Sequence, residues 1–185
     1  MRTWIKATGL AVATGVSASV YYVIQPIQPA PQFVTSKTLI ERFTKQEKQH
    51  WDVYEAKVSD PVDVNKFASC FFRSPVFQAE RIVLQILQFG KNTDDEIKQM
   101  KFVPGESMSL FQVMENAPNQ ILFRWGKSVN GHTWLSVSDD GHTLHFGSTF
   151  QCKNKIIEWI IPPHLIYGRV VLASARYQLE KEKYQ

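Results

Sequence analysis

The sequence predicts an α+β domain, an antiparallel meander packed on a long C-terminal helix, set behind an N-terminal transmembrane helix. Three observations carry that expectation. Residues Ala7 to Ile24 hold no charged side chain. Four strand-like runs between Met108 and Gln151 are punctuated by Asn130-Gly131 and Asp140-Gly141, dipeptides suited to the positive φ angles of tight hairpins. Ile166, Val170, Ala173 and Tyr177 then recur three or four residues apart, the spacing of one helix face.

The uncharged run is eighteen residues long, and at helical rise it covers about 27 Å, close to the hydrocarbon thickness of a bilayer. Trp4 before it and Tyr21 and Tyr22 at its end suit the two interfaces. A cleavable signal peptide, cut near the small residues Ser17 and Ser19, is the competing reading; the apolar stretch from Val20 to Ile24 runs beyond such a site and favours a retained anchor. Arg2 and Lys6 precede the span and the next basic residue is Lys37. The positive-inside bias therefore keeps the N-terminus cytosolic, or in the matrix of a mitochondrion, with the domain on the opposite side of a single-pass membrane protein. Mitochondrial inner membrane, endomembrane and bacterial periplasmic side are not distinguished. Ala7, Ala11, Gly15 and Ser19 form a stripe of small residues along which a second membrane helix could pack, although such residues are also ordinary in weakly hydrophobic segments.

The remaining chain divides into a linker and a domain. Pro26, Pro29 and Pro31 stiffen the stretch after the anchor, and the polar residues up to His50 extend it, so residues 26–50 are expected to be a linker and 51–185 the domain, after an anchor at 1–25. WDVYEAKV alternates in the manner of a half-buried strand. Val64 to Phe72 and Val76 to Phe89 are expected helices broken at Ser74-Pro75, and Asn92 to Lys101 a surface loop or short helix. The meander strands are expected at Met108 to Glu115, Gln120 to Trp125, His132 to Ser138 and Thr143 to Gln151. A two-residue turn at Asp140-Gly141 sets Val137 opposite Leu144 and Leu135 opposite Phe146, on one apolar face with Phe150. The other face, with Trp134, Ser136, Thr143 and His145, is expected to look out to solvent or a partner. The final helix starts near Pro163.

Composition narrows the function classes. The 185 residues include 21 Lys and Arg against 17 Asp and Glu, a formal charge of +4. Acidic residues are interspersed throughout, whereas a nucleic-acid reader gathers basic ones on one face, so no nucleic-acid partner is expected. Cys70 and Cys152 belong to no CxxC pair or zinc-spaced cluster, and phosphate-binding glycine motifs are missing; no metal or cofactor is expected. The two cysteines could pair in an oxidising compartment or stay as buried thiols. His142 and His145 project to opposite faces of a strand, and Ser136 opposite His145 has no acid to orient it, so no catalytic residue is assigned.

The pieces FFRSPVFQAERIVLQIL, FVPGESMSLFQVMENAPNQILF, HTWLSVS and NKIIEWIIPPHLIYGRVVL, in that order, resemble an uncharacterised START-like family of the helix-grip (SRPBCC) superfamily, over about Trp51 to Arg176. The resemblance implies a curved antiparallel sheet gripping the C-terminal helix around an apolar cavity, and related folds carry lipids, sterols or polyketides. It implies no catalytic residues. The N-terminal anchor and the Pro162-Pro163 pair depart from the pattern.

On this reading the chain is a membrane-tethered binding module. Its cavity would be bounded by Leu135, Val137, Leu144, Phe146 and Phe150 on the sheet and by Ile166, Val170 and Tyr177 on the helix, and would hold a hydrophobic, lipid-like small molecule. If those side chains instead fill the space, the protein is a non-catalytic assembly or scaffold subunit, recruited through its anchor or outer sheet face. An enzyme using the same cavity is the third alternative, and would need polar groups inside it.

Overall fold

A computed structural model describes residues 24–86, 92–125, 130–151 and 161–184. The expected span up to residue 23, with Ala7, Ala11, Gly15 and Ser19, lies outside the described residues, as does Cys152. Among the described residues no helix is long and apolar enough to cross a membrane.

The fold is α+β, a seven-stranded antiparallel sheet packed against a C-terminal helix. The strands are β1 (Gln28–Pro29), β2 (Gln49–Lys57), β3 (Ser107–Met108), β4 (Phe111–Ala117), β5 (Gln120–Trp125), β6 (Gly131–Val137) and β7 (Thr143–Gln151). Their order is β1-β2-β7-β6-β5-β4-β3, so the first long strand closes on the last, and β3 to β7 form the meander. Val137 pairs with Leu144 and Leu135 with Phe146, the expected register. The turn itself differs. Gly141 is at φ 77° and Asp140 is not in the left-handed region, and the Gly141 amide donates to Ser138 O, so only one of the two turn residues needs the conformation glycine permits.

The helices are α1 (Glu41–Thr44), α2 (Val64–Arg73), α3 (Pro75–Ile86), α4 (Asp94–Gln99) and α5 (Ile161–Lys181). Asp63 caps α2 by accepting from the Asn65 and Lys66 amides, and Ser74 and Pro75 separate α2 from α3 as the sequence signals. Thr93 and Glu96 form a capping box on α4. At the far end of α5, Glu182 pairs with Arg73 and Lys66, joining the end of the chain to α2.

One face of the sheet, called inner here, is covered by α2, α3 and α5. Phenylalanines fill it. Phe72 meets Phe71, Phe77, Phe111 and Phe123 at ring separations of 4.8 to 5.5 Å, and Phe71 stacks on Phe146 at 5.6 Å. Leu135, Val137, Leu144 and Phe146 belong to this packed core, as their expected inward direction requires. Of the expected helix stripe, Ala173 alone joins it. Ile166 and Tyr177 are more than half exposed and Val170 is only partly buried; Gly168, Val171, Leu172, Ala175 and Leu179 face the sheet instead. A Cβ on Gly168 would lie 2.9 Å from Tyr54 Cε2 and 3.3 Å from Phe146 Cε1. The helix thus docks through its small residues, because two aromatic rings already occupy the space a large side chain would need.

The outer face is also covered. Residues 27–50, expected as a linker, cross it as a strap: β1 pairs with the β2 edge, and Ala30, Ile40 and Val53 form a second buried cluster with Leu122 and Trp134. Ile40 lies over Gly147. Gln120 pins the strap, its Oε1 accepting from the Leu39 amide and Trp134 Nε1, both at 3.0 Å, and its Nε2 donating to Lys37 O. Trp134, Ser136, Thr143 and His145 are therefore buried rather than outward-facing. The Ser136 and His145 pairing across the hairpin is as expected, but Phe33 of the strap packs 4.2 Å from the His145 ring.

Candidate functional site

One group of buried and partly buried polar residues lies at one end of the sheet–helix layer. In β2 and β7, Asp52 pairs with Ser148 and His50 with Phe150. Alternation puts all four on the inner face with Tyr54 and Phe146. Above them α5 starts at Ile161 with Pro162 and Pro163 in its first turn, where a proline's fixed φ suits the helix and its missing N–H costs nothing. The close approach at Gly168 then lowers His164 and Arg169 onto the same strands.

His164 Nε2 lies 3.1 Å from Ser148 Oγ and 3.5 Å from Asp52 Oδ2, and His50 Nε2 is 3.8 Å from the same Oδ2. The last two distances are too long for hydrogen bonds. Both Asp52 oxygens, His50 Nε2 and Arg169 Nε are buried with no hydrogen-bond partner among the described residues, although the Asp52 side chain is only 6% exposed. Phe150 is the apolar centre of the cluster: its ring is 4.9 Å from each of the His50 and His164 rings and 6.4 Å from Trp125, whose Nε1 also has no partner among the described residues.

The electrostatics follow from burial. Desolvation pushes the Tyr54 hydroxyl up to about 12, the Asp52 charge adds to this, and Arg169, with its guanidinium 5.4 Å from the ring centroid, works against it. The Tyr54 hydroxyl donates to Leu165 O at 3.1 Å, so it stays a donor. Burial also lowers the His164 value, with Asp52 opposing. Its imidazole is kept from charging just where a buried carboxylate asks for a cation.

Two kinds of chemistry can be weighed on this geometry. Serine hydrolases set the nucleophile and the acid on different nitrogens of one imidazole. Here Ser148 and Asp52 both face Nε2 of His164, so His164 cannot be held by the acid while taking a proton from the serine. No set of three or more His, Cys, Asp or Glu among the described residues has the geometry to hold a metal ion.

Of the expected cavity residues, Phe150 alone borders this cluster. Leu135, Val137, Leu144 and Phe146 lie in the phenylalanine-filled middle, and Ile166, Val170 and Tyr177 do not close over them. His50, Asp52, Ser148, His164 and Arg169 were not foreseen. One signal for Asp52 was present: in WDVYEAKV, alternation puts a carboxylate on the same face as Tyr54 and Ala56.

No family model and no curated protein matches the chain. Among solved structures it is similar to an uncharacterised protein of Rhizobium leguminosarum, at 15% identity over 72% of this chain and 95% of that one, with a TM-score of 0.33. That level of likeness carries no argument about function.

Proposed function

We propose that the chain is a membrane-tethered binding module of the helix-grip kind, holding an amphipathic small molecule where β2, β7 and the start of α5 meet. The supporting observation is Asp52, a carboxylate with both oxygens buried and without a hydrogen-bond partner among the described residues, faced by two imidazoles at 3.5 and 3.8 Å. Burying an ionised group without donors costs several kcal/mol. A fold keeps such a group where a ligand supplies the donors. The ligand would offer one or two hydroxyl or amine hydrogens to Asp52 and lay a short apolar body on Phe150 and Trp125. It would be compact, because phenylalanine rings already occupy the middle of the layer. The uncharged run before Gln25 supports the tether.

The test is gentle isolation of the full chain in detergent, followed by native mass spectrometry and solvent extraction. Wild type should carry a small molecule that Asp52→Asn loses while staying folded. A wild-type chain that carries none, and that no hydroxylated sterol or fatty amide stabilises thermally, overturns the reading. A second reading, an assembly subunit, draws on the same filled core, and a stoichiometric protein partner in that isolation would replace the first with it.

A further inference from the structure

His50 and Asp52 stand at the β2 ends of two adjacent rows that cross the inner face of the sheet. In the first, Trp125 pairs with Gly131 and Phe150 with His50, and because His132 is opposite Thr149, Gly131 falls opposite Phe150. In the second, Phe123 pairs with Thr133, Thr133 with Ser148 and Ser148 with Asp52. Gly131 makes room in the first row for the indole: a Cβ there would lie 2.6 Å from the Trp125 ring, whose centroid is 6.4 Å from that of Phe150. A carboxylate is thus set beside a run of aromatic faces, which the His164 imidazole extends from α5 at 4.9 Å from Phe150.

The chain brings this carboxylate little compensating charge. Among the described residues Asp52 has no Lys or Arg within ion-pairing distance; it faces the two imidazoles, while Arg169 sets its guanidinium over the Tyr54 ring. Burial acts against a proton on His164; Asp52 favours one and His50 opposes it. A buried charge is tolerated where an opposite charge and hydrogen-bond donors reach it. A hydroxyl on a ligand supplies a hydrogen without charge. A primary ammonium supplies both, and its three N–H groups suit the three buried atoms that have no partner among the described residues, Asp52 Oδ1, Asp52 Oδ2 and, with its ring hydrogen on Nδ1, His50 Nε2. The aromatic faces act in the same direction, since the ring quadrupole attracts a cation. We propose that the ligand is an organic cation, a primary ammonium on a compact apolar body, with its nitrogen on Asp52 and His50 and its body on Phe150 and Trp125. This rests on the binding site in the reading above and adds the charge that reading leaves open.

The experiment uses the full chain in detergent, stripped of bound small molecules, in calorimetric titrations at neutral pH. The probes are butylamine, cyclohexylamine and phenethylamine, each beside the alcohol of the same shape. At least one amine should bind wild type tenfold or more tightly than its alcohol. That preference should fall below twofold in Asp52→Asn and persist in Asp139→Asn, which removes an exposed carboxylate. Any molecule recovered from the isolated wild type should carry a basic nitrogen. Alcohols that bind as tightly as their amines, or a recovered molecule without a basic nitrogen, overturn the inference and leave the site standing. An amine preference that survives in folded Asp52→Asn also overturns it, because the cation then sits elsewhere. If neither series binds and wild type carries nothing, the inference and the reading beneath it fall together. The comparison of amine with alcohol on wild type needs no variant, so it decides even where Asp52→Asn fails to fold.

Discussion

Asp52 and His164 face each other across the contact of β2 with α5, Oδ2 to Nε2 at 3.5 Å, and neither carboxylate oxygen has another partner among the described residues. A buried charge without donors is a stability cost retained for another reason. Asp52→Asn should therefore raise the ligand-free melting temperature, by about 2–4 °C for each kcal/mol recovered in a chain of this size. Thermal melts of delipidated protein at neutral pH check the sign. A variant that melts earlier than wild type would mean that the carboxylate is already satisfied.

Removal of the strap should be far more damaging than loss of a linker. A chain starting at His50 lacks Ala30 and Ile40 and exposes Trp134, Leu122 and Val53. It should aggregate or melt without cooperativity, as circular dichroism and sedimentation would show. In the full chain, Ile40→Ala should cost about 2–5 kcal/mol, and Gln120→Leu should leave Trp134 Nε1 and the Leu39 amide unpaired at about 1–3 kcal/mol each.

Acid should loosen the strap before it attacks the helices. Burial holds both His132 and His145 at about 4, with the nearby positive charges of Arg124 and Arg42, and of Lys57, working in the same direction. Above about pH 6.5 these rings are neutral folded or unfolded. Between 6.5 and 4 the unfolded chain takes up protons that the folded one refuses, so stability falls with pH across that window. Burial pushes Glu182 up, but hydrogen bonds from Arg73, Lys66 and Gln178 outweigh it and hold the carboxyl at about 2. Its contribution is present above about 4.5 and is lost as pH falls toward 2. Melting temperature against pH should thus drop in two windows, and replacing His132 and His145 with Gln should make the upper drop shallower, leaving the share of His164, which is also held below its ordinary value, and should leave the lower drop unchanged.

The orientation of α5 gives a paired test. Gly168→Val should drive the helix off Tyr54 and Phe146 and cost at least the 1–3 kcal/mol of ordinary overpacking. Tyr177→Ala, at an exposed position, should stay within about 0.5 kcal/mol of wild type. Chemical denaturation measures both. Equal effects would mean that the helix is rotated from the orientation described.

Local pattern was enough for the elements with strong local rules. The bounds of β5 and β7, the Ser74-Pro75 break and the pairing of Leu135 with Phe146 all follow from alternation, capping and turn chemistry. The strap was hidden because Ala30 and Ile40 are sparse and aperiodic, and because the face they cover looked like an exposed one. The orientation of α5 was missed because its large residues form a regular stripe, whereas docking on two rings selects Gly168. His50, Asp52, Ser148 and His164 come from three distant segments, and the pairing of β2 with β7 is what unites them. A search for histidines close in sequence could not find them.

That pairing also sets an order of events when the chain first folds. Strands β4, β5 and β6 are joined by short connections and can zip up locally. By contrast, β2 needs β7, from Gln49 opposite Gln151 to Lys57 opposite Thr143, and contacts so distant along the chain form slowly. The strap leaves the ribosome early but has no complete surface to lie on until the last strand is made. Until then Trp134 and Leu122 stand bare, and the nascent protein is most exposed to a chaperone, or to another copy of itself, before β7 has been made and paired.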